Sequence, residues 1–247
     1  MLMLEDKLGK IINMVAERIK GCDIGCYDDD GYMYDGWDSA LLFSLEKVDP
    51  DIRVAFGMSK MVIIPSFSQF VIKFPLRGSW TETDGFFNEE GKWKQYEDDD
   101  FHYDFCPFGY GGGENGDDYC ALELSIYDKI LEEAPDCSFI FPETYFYGEI
   151  KGTKFYLQKK CVEFDDAKQI EVSENSRRVG DELYRHYCYV ASPYWVNVLV
   201  EKVGETFAKK ILDVIEEFDI TDLHNHNLGF DLITGMPMII DFCGFEG

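Results

Sequence analysis

Residues 222–245 read DLHNHNLGFDLITGMPMIIDFCGF and predict a β-hairpin near the end of the chain. Its two strands are short apolar runs, 228–233 and 236–241, which are joined by a Thr-Gly pair. Two-residue turns that contain glycine are common closures of such hairpins. Histidine, carboxylate and amide side chains surround the two runs, so the segment is also a candidate metal or nucleotide site.

The polar residues of this segment converge by chain geometry. A two-residue turn pairs residue 228 with 241 and residue 227 with 242, so we expect Asn227 and Asp241 to stand side by side. Asp222 lies on the tight loop just before the first strand. Oxygen ligands favour Mg²⁺ over zinc, and magnesium held by one or two protein groups usually has phosphates as its other ligands. The segment therefore predicts the magnesium end of a nucleotide site.

The same residues also have simpler interpretations. Asp and Asn are frequent turn and cap residues without a further role. The pair His224 and His226 has the spacing of a zinc pair, but no third nitrogen or sulfur ligand lies nearby in the sequence, so we expect His226 to be structural. Cys22 and Cys26 form a single C-x3-C pair, which is a weak metal signal without a second pair.

The rest of the chain predicts an α+β protein. Several further elements are expected from apolar periodicity and turn residues. They are an amphipathic N-terminal helix, an acidic loop, a three-stranded antiparallel meander over 52–76, an irregular insertion or lid over 77–118, a helix with Leu122, Ile126 and Ile130 on one face, a hairpin around the KG turn at 151–152, and one long amphipathic helix over 194–218.

The composition limits the possible partners. The chain has 247 residues, 46% of them apolar, and a formal net charge of -25 from 48 acidic and 23 basic residues. Such a charge makes unaided binding to a nucleic acid backbone unfavourable, whereas a basic protein partner fits it. No apolar run has the length of a membrane span. The N-terminus reads as an amphipathic helix and not as a signal peptide, so we expect a cytoplasmic protein with reduced cysteines.

Several motifs resemble those of the protein-kinase-like superfamily. DLHNHN at 222–227 matches the D-x-H-x-x-N form of the catalytic loop, and IIDFCG resembles the D-F-G segment with Cys243 inserted before Gly244. Upstream, FVIKF resembles the β3 motif and offers Lys73, while CALELSIYDKI resembles helix αC and offers Glu123. FYLQKKCVEF lies where the strand leading to the adenine hinge belongs.

The pattern as a whole, over 52–76 and 117–245, resembles small kinase-like proteins encoded by phages and prophages. The resemblance implies a protein-kinase-like α+β fold with an antiparallel-sheet N-lobe and a strongly shortened helical C-lobe. It implies ATP and Mg²⁺ as cofactors, and a host protein or a small molecule as the hydroxyl acceptor in the host cytoplasm. The expected parts are an N-terminal helix and acidic loop at 1–50, an N-lobe at 51–165 with its insertion at 77–118, and a C-lobe at 166–247.

The resemblance also implies roles for individual residues. Lys73 would neutralise the α and β phosphates, and Glu123 would hold Lys73. Asp222 would orient or accept the proton of the acceptor hydroxyl, while His224 would face the transferred phosphoryl group. The remaining expected ligands are Asn227 and Asp241 for magnesium, and Gly57, Ser59, Lys60, Gln158 and Cys161 for the nucleotide.

The chain departs from the kinase pattern in three places. GMSKMV at 57–62 is a reduced glycine-rich loop, and Ile-Thr-Asp at 220–222 replaces the H-R-D triplet. Only three residues follow Gly244, so we expect no activation segment in the C-lobe. These departures leave two alternatives open. One is a pseudokinase that does not transfer phosphate, and the other is an acidic decoy that inhibits a basic or nucleic-acid-binding host protein.

Overall fold

The fold is described from a computed structural model. The described residues are 2–19, 42–56, 60–75, 78–83, 85–87, 93–95, 102–107, 118–164, 170–187, 192–220 and 223–242. Side chains are described over the same ranges except 2–5, 18–19, 56 and 78–107.

Helices and antiparallel strands are combined in one chain, which confirms the predicted α+β class. The helices are α1 (Leu2–Ile19), α2 (42–46), α3 (Tyr119–Glu133), α4 (Glu174–Tyr187), α5 (Pro193–Val203) and α6 (Glu205–Glu217). The strands are β1 (Arg53–Phe56), β2 (Lys60–Ile64), β3 (Phe70–Pro75), β4 (Gly78–Thr83), β5 (Gly85–Phe87), β6 (Trp93–Gln95), β7 (His102–Pro107), β8 (Thr144–Ile150), β9 (Thr153–Lys159), β10 (Cys161–Glu163), β11 (Leu228–Asp231) and β12 (Pro237–Ile239). None of the helices in these ranges is long and apolar enough to cross a membrane.

The chain divides into two compact units. Unit 1 comprises Met1–Asp118 and Tyr147–Tyr156, and unit 2 comprises Tyr119–Phe146 and Leu157–Gly247. The boundary passes through the β8–β9 hairpin. The domain boundaries expected from the resemblance stay predictions.

Unit 1 is built on a five-stranded sheet with the order β1-β2-β3-β9-β8. The predicted meander is confirmed, because β1, β2 and β3 pair antiparallel in sequence order. The predicted hairpin around the KG turn is also confirmed: Lys151 and Gly152 have positive φ angles of 53° and 78°, as a type I′ turn requires.

Helix α1 belongs to unit 1 and buries the apolar face that the sequence predicts. Ile11, Ile12 and Val15 are fully buried. At the helix surface, the Lys7 ammonium lies 5.3 Å from the centroid of the Phe67 ring. Helix α1 therefore packs within unit 1 through its Ile and Val side chains.

The insertion contains two antiparallel ladders. Strand β4 pairs with β7 from Gly78↔Pro107 to Thr83↔His102, and β5 pairs with β6 inside that ladder. The composition of this segment predicts irregular structure, which is wrong for the paired residues. The alternation of aromatic and polar residues in HYDF, residues 102–105, is the strand signal that it overlooks.

Unit 2 contains helices α3 to α6 and a second sheet, with a shared core. The core includes Ile130, Phe141, Trp195, Leu199, Ile211, Ile215, Leu228, Phe230, Ile239 and Phe242. Trp195 fixes the helices to the sheet, because its indole Nε1 donates to the Met238 carbonyl oxygen at 3.2 Å.

The single long helix predicted over 194–218 is wrong, because Gly204 divides it into α5 and α6. Gly204 has φ 79° and ψ 162°, a conformation outside the helical region and open mainly to glycine. Its N–H donates to the Val200 carbonyl and closes α5, while its own carbonyl accepts from Ala208 at the start of α6.

Helix α3 contains the residues that the sequence predicts to be helical, but its buried face is rotated. The sequence predicts Leu122, Ile126 and Ile130 on the inner face, whereas Leu122 is 44% exposed. The buried residues are Cys120, Glu123, Tyr127 and Ile130. This buried face includes the Glu123 carboxylate and the Tyr127 phenol, and apolar periodicity does not predict the burial of such polar groups.

The register predicted for the last hairpin is wrong by two residues. Leu228 pairs with Ile239, not with residue 241, and Phe230 pairs with Pro237. The turn is longer than two residues because the Asp231 carboxylate accepts hydrogen bonds from inside the turn. Pro237 lacks an N–H, and it begins the second strand, a position that proline tolerates.

Candidate functional site

In unit 1 the sheet places Lys73 and Lys60 on adjacent strands. Lys73 lies opposite Val62 and is 3% exposed, and Lys60 lies opposite Pro75 and is 5% exposed. Burial of an ammonium group is costly without compensating interactions, so lysines are among the residues least often buried. Their burial therefore depends on compensating interactions inside the protein. Gly57 and Ser59 lie outside the described residues.

In unit 2 helix α3 and strand β9 bring two predicted site residues together. Glu123 is completely buried, and the Gln158 Nε2 atom donates to Glu123 Oε1 at 2.9 Å. Gln158 also donates to Thr144 Oγ1 at 3.2 Å, and this hydroxyl donates to the carbonyl of Pro142. The Gln158 amide thus holds the Glu123 carboxylate. This contact is not evident from the sequence.

The segment after β9 enters the second sheet, which has the order β10-β11-β12. Cys161 lies opposite Asp231 in the antiparallel β10–β11 ladder and is partly buried. Its thiol donates to the carbonyl oxygen of Lys159 at 3.7 Å. The segment predicted to lead to the adenine hinge therefore pairs, through β10, with strand β11 of the last hairpin.

The two histidines shape the loop that leads into β11. His224 is the N-cap of a 3₁₀ turn over Asn225–Asn227, and its Nδ1 atom accepts from the His226 N–H at 3.2 Å. Both imidazoles are exposed, with ring centroids 5.7 Å apart. Across the described part of the chain, no three His, Cys, Asp or Glu residues are close enough to hold a metal ion together.

Asn227 and Asp241 are neighbours, as the sequence predicts, although through a different register. The Asn227 carbonyl oxygen accepts from the Ile240 N–H at 2.8 Å and from the Asp241 N–H at 3.3 Å. Asn227 is 7% exposed, and Asp241 is partly buried. Phe242, which follows Asp241, packs its ring edge-on against Phe141, with the ring centroids 5.3 Å apart. Asp222 lies outside the described residues.

The donor set suits magnesium. A carboxylate from Asp241 and an amide oxygen from Asn227 are hard oxygen ligands of the kind that Mg²⁺ takes when phosphates complete its coordination.

Asp231, which is not among the predicted site residues, accepts four hydrogen bonds. Its Oδ1 atom accepts from the Ile233 N–H at 3.0 Å, the Thr234 N–H at 2.8 Å and the Thr234 hydroxyl at 2.9 Å. Its Oδ2 atom accepts from Lys159 Nζ at 2.7 Å. The D-x-x-T spacing in DLIT is the available signal, since Asp side chains often bond the backbone two or three residues on.

Electrostatics agree with this geometry. Burial would raise the pKa of Asp231, but the hydrogen bonds from Lys159 and Thr234 outweigh it and hold that pKa well below its usual range. The same hydrogen bond raises the pKa of Lys159. The pair is therefore ionised at neutral pH.

Comparison of the chain with protein-family models, with curated proteins and with solved structures gave no match.

Proposed function

We propose that the protein binds ATP with magnesium and transfers a phosphoryl group to a hydroxyl acceptor, as a phage- or prophage-type member of the protein-kinase-like superfamily. The observation that carries the proposal is the contact between Asn227 and Asp241. Backbone hydrogen bonds of 2.8 and 3.3 Å keep these two oxygen ligands on adjacent segments, although 14 positions separate them in the sequence.

Two buried charges support the same proposal. Lys73 on β3 is 3% exposed, and Glu123 on α3 is fully buried. The order of elements along the chain also supports the proposal, with three antiparallel strands, the insertion with β4 to β7, then α3, then the β8–β9 hairpin. Separately, each feature has a purely structural explanation, and their combination favours nucleotide chemistry.

Each residue then has a task in phosphoryl transfer. Lys73 binds the α and β phosphates, and Asn227 and Asp241 hold the magnesium ion, which when bound neutralises charge on the phosphate oxygens. Asp222 orients the acceptor hydroxyl and accepts its proton. His224 donates to the transferred group. Its cap hydrogen bond to His226 leaves Nδ1 as an acceptor, so the neutral ring carries its proton on Nε2.

Nucleotide binding is tested by thermal unfolding with ATP, with and without Mg²⁺. We expect the melting temperature of the wild type to rise only when both are present, because Asp241 and Asn227 contribute through the metal. Asp241→Ala should abolish the rise. The matched control is Asp128→Ala, an exposed aspartate of α3 that should leave it intact. A wild type that shows no shift under any condition would favour the acidic decoy.

Transfer is tested by incubating the protein with labelled ATP and cell lysate. We expect a labelled acceptor, and we expect Asp222→Ala to reduce the labelling rate at least ~100-fold, as loss of a general base does. Binding without labelling would identify a pseudokinase. Label transfer that survives Asp222→Ala at the wild-type rate would contradict the role of Asp222.

A further inference from the structure

One ion pair, between Asp231 and Lys159, ties the hairpin that lies between the candidate magnesium ligands to the end of strand β9. We propose that Asp231 and Lys159 are positioning residues, which set the base-binding end of the nucleotide site relative to its magnesium end. This inference rests on the proposed function and adds the means by which the two ends of that site are held in register.

The two ends belong to segments that are far apart in the sequence. Cys161, an expected contact of the nucleotide base, lies on β10, while Asn227 directly precedes β11 and Asp241 follows β12. The β10–β11 ladder connects them over only three residue pairs. A ladder this short leaves the relative position of its strands weakly determined, so a further link at its end matters.

The Lys159–Asp231 contact lies at the end of that ladder. Asp231 is the last residue of β11 and pairs with Cys161, the first residue of β10. Lys159 precedes β10 by two positions, and its ammonium reaches Asp231 Oδ2 at 2.7 Å. The ion pair therefore fixes the place where the chain leaves β9 and enters the second sheet.

The two oxygen atoms of Asp231 have different tasks. Oδ1 accepts three hydrogen bonds from Ile233 and Thr234 and shapes the turn. Oδ2 accepts only from Lys159 among the described residues. Turn formation does not need the second contact. The second contact joins Asp231, which is only 7% exposed, to the end of β9, and so links two elements that the turn alone does not connect.

This division allows a substitution that removes one task alone. Asp231→Asn keeps an oxygen for the turn donors and replaces Oδ2 by an amide nitrogen, which cannot accept from Lys159. Lys159→Met removes the ammonium from a side chain that is 44% exposed, so it places little demand on folding. Thr234→Ala is the matched control, because it removes the two turn hydrogen bonds of the Thr234 hydroxyl and leaves the ion pair in place.

The experiment measures dissociation constants by titration calorimetry for adenosine, for ATP in EDTA and for ATP with Mg²⁺. The decisive quantity is the factor by which Mg²⁺ strengthens ATP binding. We expect Asp231→Asn and Lys159→Met each to reduce this factor about tenfold, with adenosine affinity unchanged. The double variant should show no further loss, since both changes remove the same contact. Lys159→Arg should restore the factor.

The outcomes separate positioning from stability. Thr234→Ala should lower the melting temperature and leave the magnesium factor unchanged. If both ion-pair variants lower the melting temperature and keep the wild-type factor, the pair is only structural and the inference is overturned. If Mg²⁺ does not strengthen ATP binding by the wild type, the proposed function itself is contradicted. The wild type alone shows this result, so it is distinguishable from a failure of the inference about the ion pair.

Discussion

At the scale of single residues, Gly180 is a position where one methyl group decides stability. A Cβ atom built on Gly180 would lie 2.1 Å from Asn197 Oδ1 and 2.8 Å from Asn197 Cα. Helices α4 and α5 must therefore separate to accept alanine. We expect Gly180→Ala to lower the free energy of unfolding by about 2 kcal/mol, as overpacking of a core does. Urea unfolding followed by circular dichroism measures the change.

Gly9 provides the control, because it is also a helical glycine. A Cβ there would lie 3.8 Å from the Tyr147 hydroxyl oxygen, which is an ordinary contact. Gly9→Ala should raise the free energy of unfolding by about 0.5–1 kcal/mol through helix propensity. Equal effects of the two substitutions would show that helix propensity, and not the Asn197 contact, governs Gly180.

At the scale of elements, Gly204 keeps α5 and α6 separate. A Cβ on Gly204 meets nothing within 4 Å, so the cost of alanine there comes only from the backbone. We expect Gly204→Ala to lower the free energy of unfolding by about 1–3 kcal/mol, because φ 79° with ψ 162° is open mainly to glycine. Urea unfolding tests this. A stabilised variant with more helix by circular dichroism would mean that the chain prefers the single helix that its periodicity predicts.

The elements also show which patterns in the sequence are sufficient. Short β-rich runs separated by turn residues predict β1 to β3, and the positive φ angles of Lys151 and Gly152 match the KG turn that marks the next hairpin. The register of the last hairpin is not predictable by counting residues, since the Asp231 side chain bonds backbone groups of the turn. Side chains that compete for backbone hydrogen bonds change loop length without changing the apolar pattern.

At the scale of the whole molecule, charge repulsion opposes folding. The formal net charge is -25, and salt shortens the Debye length from about 30 Å at 0.01 M to about 10 Å at 0.1 M. We therefore expect the melting temperature to rise with NaCl over this range, and to rise equally with KCl. A melting temperature that falls with salt would mean that attractive ion pairs outweigh the repulsion.

The sequence singles out those residues of the candidate site whose type and spacing along the chain form a motif. The hairpin predicts that Asn227 and Asp241 are neighbours, and they are, although the predicted register is wrong by two residues. The kinase-like motifs single out Lys73 and Glu123, and both residues are buried. Gln158 is different. Its amide holds Glu123 over 35 positions of sequence, and such contacts depend on tertiary packing that no local pattern encodes.

The register of the last hairpin has a consequence for evolution. The sequence predicts Asn227 opposite residue 242, whereas its carbonyl oxygen accepts from the N–H of residue 240. Asp241 lies between residues 240 and 242, so it is next to Asn227 in both registers. In a β-ladder, a slip of one residue exchanges the faces, whereas a slip of two restores them. The hairpin tip therefore tolerates the insertion or deletion of two residues. The insertion or deletion of one residue would exchange the faces of one strand and separate the two candidate ligands.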